Sequence, residues 1–105
     1  MEKDLNVLTE KIEVWARDRE LDSADVTKQA LKLVEEVGEL CEGLVKEKGT
    51  QVVDSIGDIF VVLTIMSLQL GLSIQDCVAV AYDEIKDRKG ATVNGSFIKE
   101  SDLAY

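Results

Sequence analysis

Leu31-Lys32-Leu33-Val34-Glu35-Glu36-Val37-Gly38-Glu39-Leu40 decides how this chain is read. Leu33, Val34, Val37 and Leu40, continued by Cys41 and Leu44, recur at the spacing that places side chains on one face of an α-helix. Three carboxylates are set into that stretch, with Glu35 and Glu36 each within one turn of Glu39. Further on, Asp54 and Asp58 stand one turn apart and lead into the apolar run Ile59-Phe60-Val61-Val62-Leu63. Carboxylates beside core residues are costly unless something neutralises them.

Working outward, four helical segments are marked by their punctuation. The first runs from about Lys3 to Arg19, with Leu5, Leu8, Ile12 and Trp15 on one stripe, and Leu21-Asp22-Ser23 breaks it. The second starts between Ser23 and Val26 and is expected to stop at Gly49. Thr50 is the expected cap of a third helix, from about Gln51 to Leu70, closed by Gly71. Ser73-Ile74-Gln75-Asp76 reads as a capping box opening a fourth helix that runs toward Gly90. Thr92 to Ile98 reads as a small hairpin around Asn94-Gly95, or as an extended arm, since two short strands alone are marginal. The fold class expected is all-α: a four-helix bundle with a short C-terminal hairpin or arm, in one domain spanning residues 1–105.

The third helix is apolar around nearly its whole circumference from Ile56 to Leu70. It is either a central helix wrapped by its own chain or, the reading we favour, one buried in a subunit interface of a homodimer or homotetramer. The run from Ile59 to Leu70 is broken by Thr64, Ser67 and Gln69 and falls short of the ~20 residues of a membrane span. Met1-Glu2-Lys3-Asp4 has no apolar signal region. A soluble cytoplasmic protein is expected. Cys41 and Cys77 fall on apolar stripes and read as buried free thiols, which suits a reducing interior.

The 105 residues include no Pro and no His, and the formal net charge is −9. That charge argues against a nucleic-acid polymer or an anionic membrane as partner. A small phosphorylated ligand stays compatible, because a bound cation inverts the local field. Two antiparallel helices joined by a short loop would bring Glu35, Glu36 and Glu39 opposite Asp54 and Asp58. Like charges so close raise one another's pKa unless a cation sits between them. All-oxygen ligation selects Mg²⁺ or Mn²⁺, whose remaining coordination is usually water and substrate phosphate. The plainer alternative is a solvated acidic face, which is how Glu42, Glu47 and Asp87 are read. Gly38 and Gly57, beside the acidic residues, are expected to permit close helix approach or to leave room for metal and phosphate.

These residues resemble a known family. Glu35-Glu36-Val37-Gly38-Glu39 is similar to the Glu-Glu-x-x-Glu motif of the MazG-like all-α nucleoside triphosphate pyrophosphohydrolases. Ile56-Gly57-Asp58 is similar to the end of that family's second motif, Glu-x-x-Asp. The likeness extends from Trp15 to Gly90 and looks nearest to short single-domain proteins of phages and Gram-positive bacteria. It implies Mg²⁺-dependent cleavage between the α- and β-phosphates of a nucleoside triphosphate, serving nucleotide-pool cleaning. Glu36, Glu39 and Asp58 become metal ligands, and Glu35 a further ligand or the group orienting the attacking water. The motif Glu is replaced by Ser55, so Asp54 is the expected substitute. Lys28, Lys86, Arg88 and Lys89 are candidates to meet the outer phosphates, and Asp83 a further metal or substrate contact. Trp15 either stacks on a base or is a plain core residue. A non-catalytic helical oligomer that binds metal or nucleotide and regulates a partner is the alternative.

Overall fold

The structure, a computed structural model, describes residues 1–103. Contacts group the chain into two compact units, residues 1–74 and the residues from Gln75 onward. The first contains α1 (Leu5–Asp18), a 3-10 turn (Leu21–Ser23), α2 (Val26–Val45) and α3 (Gly49–Gln69). α4 (Ile74–Ile85) leads into the second, which holds β1 (Gly90–Val93), β2 (Ser96–Lys99) and a 3-10 turn (Glu100–Asp102). The all-α class, its four helices and the hairpin are as expected.

The helix starts follow from local chemistry. Asp4 has extended backbone and accepts from the amides of Asn6 (2.9 Å) and Val7 (3.2 Å), so α1 starts two residues later than expected. Asp25 accepts from Thr27 N at 2.7 Å and starts α2. The Thr27 side chain first, and this backbone bond second, hold the Asp25 carboxyl below its ordinary value.

The end of α2 corrects the sequence reading. The helix stops at Val45, and Glu47, not Gly49, takes the left-handed conformation (φ 55°). Lys48 N donates to Gly43 O (2.8 Å) and Glu47 N to Leu44 O (3.4 Å), the paired bonds of a Schellman motif. Gly49 thereby becomes the first residue of α3, and Thr50 lies inside its first turn rather than capping it. At the far end of α3, Gly71 (φ 71°) closes the same motif, with Leu72 N on Ser67 O at 2.7 Å, as expected.

α3 is the centre of the first unit: α1, α2 and the 3-10 turn all pack on it. The loop between α2 and α3 is only Lys46–Lys48, which makes the two helices antiparallel neighbours. Their tight approach is at Gly43, where an added Cβ would lie 3.2 Å from Val52 Cγ2 and 3.3 Å from Val52 N. Gly38 and Gly57, expected to permit close helix approach or to leave room for metal and phosphate, have nothing within 4 Å of such a Cβ, so of the two expectations only open space is met there. Buried hydroxyls bond back one turn: Thr9 to Leu5 O (2.6 Å), Thr64 to Phe60 O (2.8 Å) and Ser67 to Leu63 O (2.8 Å).

The apolar core is small: Ala16, Val62, Ile65 and Ile74. Many large apolar residues stay outside it, including Val34, Val45, Val53, Ile56, Val78, Val80 and Ile85. Cys41 and Cys77 are free but exposed, a correction to the expected burial, because the stripes that carry them are uncovered in the single chain. α3 runs from Gly49 to Gln69, close to the expected span of about Gln51 to Leu70, and over its whole length it is more membrane-like than the interrupted run from Ile59 to Leu70. It has 21 residues and a mean hydropathy of 1.6 in its most apolar window, enough by length and composition to cross a membrane. A core helix passes the same test, and Ser55, Thr64 and Ser67 are buried along this one.

In the second unit α4 stops at Ile85 instead of continuing toward Gly90. Gly90 opens β1, where a Cβ would collide with the Ile98 carbonyl oxygen and the Phe97 ring. The strands pair antiparallel, Gly90 with Lys99 through Val93 with Ser96. Asn94 (φ 52°) and Gly95 (φ 82°) form the two-residue left-handed turn the sequence announces.

Candidate functional site

Two cavities adjoin the acidic residues of the first unit. The larger, about 830 Å³, is a groove where the end of α2 meets the start of α3. Glu39 and Glu42 line it from α2, Lys48 from the loop, and Gly49, Thr50, Gln51, Asp54, Ser55 and Asp58 from α3. Gln51 Nε2 donates to Glu39 O at 2.9 Å and lies 3.5 Å from Glu42 Oε1, bracing α3 against α2. Glu42, read from sequence as merely solvated, stands on this wall and pairs with Lys46 at 3.6 Å.

The smaller cavity, about 170 Å³, is lined by Trp15, Leu21, Gln29, Lys32, Glu36, Asp58, Val61, Val62 and Ile65. Asp58 is common to both cavities.

Glu36 is the anomalous group. It is 8% exposed, and its Oε2 is buried without a hydrogen-bond partner. Burial first, then the charges of Asp58 and Glu39, push its carboxyl above the ordinary value, while Lys32 pulls the other way. A shared hydrogen bond with Asp58 adds to the rise. An acidic oxygen desolvated among other acids is the chemistry a hard cation relieves, and the donors here are all oxygen. In their present positions, no group of three or more His, Cys, Asp or Glu side chains among the described residues is disposed to hold a metal ion. The residues therefore fit a divalent cation in chemistry and charge, without a preformed cage.

The sequence candidates divide. Glu36, Glu39 and Asp58 are electrostatically coupled, and Glu39, Asp54 and Asp58 share the groove. Ser55, at the position of the motif Glu, is 1% exposed. Glu35 and Lys28 are exposed and line neither cavity. Trp15 is half exposed, with the Arg19 guanidinium 4.2 Å from its ring centroid, so it is not a plain core residue. In the second unit Lys86 Nζ pairs with Asp83 Oδ1 at 2.7 Å, while Arg88 and Lys89 line a shallow depression with Lys99.

Sequence reasoning missed Lys48 and Gln51 on the groove, and Gln29 and Lys32 on the smaller cavity. Gln29 and Lys32 were available from spacing, since they lie seven and four residues before Glu36 on the same helix face.

Fold and site together define an all-α domain with an acidic seam between two antiparallel helices, open to a groove of about 830 Å³. The chain belongs to the MazG nucleotide pyrophosphohydrolase domain family, which it matches over residues 24–92. That family is one of hydrolases and is generally dependent on divalent metal. The match takes in α2, α3, α4 and the start of β1, and leaves α1 outside. The chain is also 49% identical over 67 residues to an 18.2 kDa protein from the rep–hol intergenic region of Haemophilus phage HP1. That alignment covers 63% of this chain and 41% of the phage protein, less than half of its length. No solved structure matches the chain.

Proposed function

We propose that this protein is a Mg²⁺-dependent nucleoside triphosphate pyrophosphohydrolase. It would cleave (d)NTPs between the α- and β-phosphates to (d)NMP and pyrophosphate, and so clear nonstandard or surplus nucleotides. The observation that carries the reading is Glu36, a desolvated carboxylate with one unpartnered oxygen, raised by its burial and by the charges of Asp58 and Glu39. Glu36, Glu39 and Asp58 would hold the ion, with Asp54 serving where Ser55 replaces the motif Glu. Bound Mg²⁺ (or Mn²⁺) supplies positive charge that neutralises the phosphates and polarises the phosphorus under attack.

The chain's own residues do the rest. Glu39, on the groove wall, takes the proton of the attacking water as its oxygen bonds to the α-phosphorus. The bond from that phosphorus to the bridging oxygen breaks, and pyrophosphate leaves with that oxygen. Lys48, on the same groove, meets the outer phosphates, and Gln51 keeps the two walls in register. Glu35, which the resemblance gives as a further ligand or the group orienting the water, would act from its exposed position beside Glu36. Lys28, Arg88 and Lys89 are further phosphate contacts in this reading, while Lys86 and Asp83 begin from their mutual ion pair.

We further propose that residues 1–105 work as one domain, in a cytoplasmic homodimer or homotetramer built through the outer face of α3. Val53 and Ile56 lie there uncovered, at 74% and 58% exposure, together with Val34 and Val45 of α2. Large apolar side chains left uncovered in the single chain support association through these faces.

Release of pyrophosphate from a panel of standard and modified NTPs with Mg²⁺ tests the activity. Glu39→Gln is expected to lower kcat about a hundredfold or more, and unchanged turnover would sink the mechanism. One observation favours a second reading, a metal- or nucleotide-binding regulator without catalysis: the motif Glu is absent, and Ser55 is buried in its place. Nucleotide binding without pyrophosphate release would select it.

A further inference from the structure

We infer that the outer face of α1 is a second association surface, on which α1 of one chain lies antiparallel against α1 of another and joins two α3-linked pairs into a tetramer. The inference rests on the proposed association through α3 and adds a separate contact to it. α1 packs on α3 and buries Thr9 and Ala16. At about 100° of turn per residue, Val7, Glu10, Lys11 and Val14 fall together on the opposite side of the helix. These four line one surface cavity of about 350 Å³. Val14 is 53% exposed and Val7 is half-buried.

The pattern on this face is self-complementary. Val7 and Val14 lie equally far from the midpoint between Glu10 and Lys11, and so do Asp4 and Arg17. A two-fold axis through that midpoint, perpendicular to the helix, sets each residue against its counterpart in a second copy. Val7 then meets the partner's Val14, Glu10 the partner's Lys11, and Asp4 the partner's Arg17. An isologous pairing of this kind makes every contact twice.

The charges select a second copy as the occupant. Ion pairs among the described residues join Lys46 to Glu42 and Lys86 to Asp83. Glu10, Lys11 and Arg17 thus have no ion-pair partner among them. Asp4 caps α1 through Oδ1, which leaves Oδ2 to receive a guanidinium. A parallel arrangement would set Glu10 on Glu10 and Lys11 on Lys11, so the same charges work against it. Exposed ion pairs contribute little affinity, and these act by fixing direction and register. The contact is small, but joining two α3-linked pairs makes it twice, and the doubled contact closes a tetramer. α1 lies outside residues 24–92, so this surface is not part of the stretch shared with the family.

Size-exclusion with light scattering at several concentrations tests the pairing on the full chain, on Glu10→Lys, on Lys11→Glu and on an equimolar mixture of the two variants. The parent should be a tetramer. Each variant alone sets like charges face to face and should run as a dimer, with the dissociation constant of that step raised about tenfold or more. In the mixture every positive charge at these positions again faces a negative one, and the tetramer should return. That recovery is a result misfolded variants could not give. Variants that keep the parent's tetrameric size, or a mixture that stays at the size of its components, overturns the pairing. A dimeric parent unchanged by either variant overturns the pairing and spares the association through α3. A dimeric parent that both variants reduce to monomer, and that the mixture restores, upholds the pairing and removes the association through α3. A monomeric parent overturns both.

Discussion

The seam between α2 and α3 and the outer faces of the same two helices invert the usual arrangement. Inside the seam lies a desolvated carboxylate, Glu36, with an oxygen that no hydrogen bond satisfies among the described residues. Outside, Val34, Val45, Val53 and Ile56 stand in water. Folded chains seldom keep either arrangement without a return elsewhere. The two regions are incomplete in different ways. In the seam the carboxylates outnumber Lys32 and Lys48, and the outer faces lack apolar cover; the proposed cation with its nucleotide would complete the one, and the proposed second copy of the chain the other.

Changing the outer faces is the strongest way to break the comparison. Ile56→Asp combined with Val53→Asp should shift the protein to monomer and raise the dissociation constant by well over tenfold, because an uncompensated charge placed in an interface costs several kcal/mol. Size-exclusion with light scattering at several concentrations reads this. An assembly of unchanged size would show that α3 is not the interface.

Next in size is the seam's own packing. At Gly43 the helices approach within 3.2 Å of a hypothetical Cβ, so Gly43→Leu should cost about 1–3 kcal/mol in urea unfolding through overpacking. A neutral result would mean that the seam is looser than its geometry.

The smallest effect sharpens the contrast between the regions. Burial, Asp58 and Glu39 raise the Glu36 carboxyl in the folded protein above its unfolded value. Its contribution to stability is thus fully present below the ordinary carboxylate range and is lost as pH rises through the raised value. Glu36→Gln should therefore be more stable than the parent in metal-free buffer at pH about 7, with the difference closing as pH falls toward about 4. Thermal melts in EDTA across that range check the sign, and a parent that outlasts the variant at neutral pH would contradict it.

Much of this was legible in the sequence because the deciding signals were local. The acidic residues at helical spacing, the Gly71 stop and the Asn94-Gly95 turn each depend on a few neighbouring residues. The misreadings come where two structures compete for one residue. Gly49 looked like the end of α2, but Glu47 accepts the left-handed conformation and frees Gly49 to begin α3. Gly38 and Gly57 drew notice because they adjoin carboxylates, yet the helix contact falls at Gly43, which only the register of α3 on α2 selects. At the site, Glu36, Glu39 and Asp58 were legible from spacing and from the resemblance. Lys48 could not be recognised before the loop between α2 and α3 was known to be three residues, Lys46–Lys48. Gln29 was within reach by counting back from Glu36, but nothing in the sequence shows that its amide oxygen goes unpaired.

The central claim is that the seam awaits a divalent cation. Thermal unfolding of the parent and of Glu36→Gln, each titrated with Mg²⁺ in the presence of a non-hydrolysable nucleoside triphosphate, tests it most directly. A ligand bound only by the folded state stabilises by mass action, about 2.7 kcal/mol at a hundred times its Kd. The account predicts a Mg²⁺-dependent rise in Tm for the parent that is largely lost in Glu36→Gln. A parent indifferent to Mg²⁺, or an equal rise in both proteins, would contradict it.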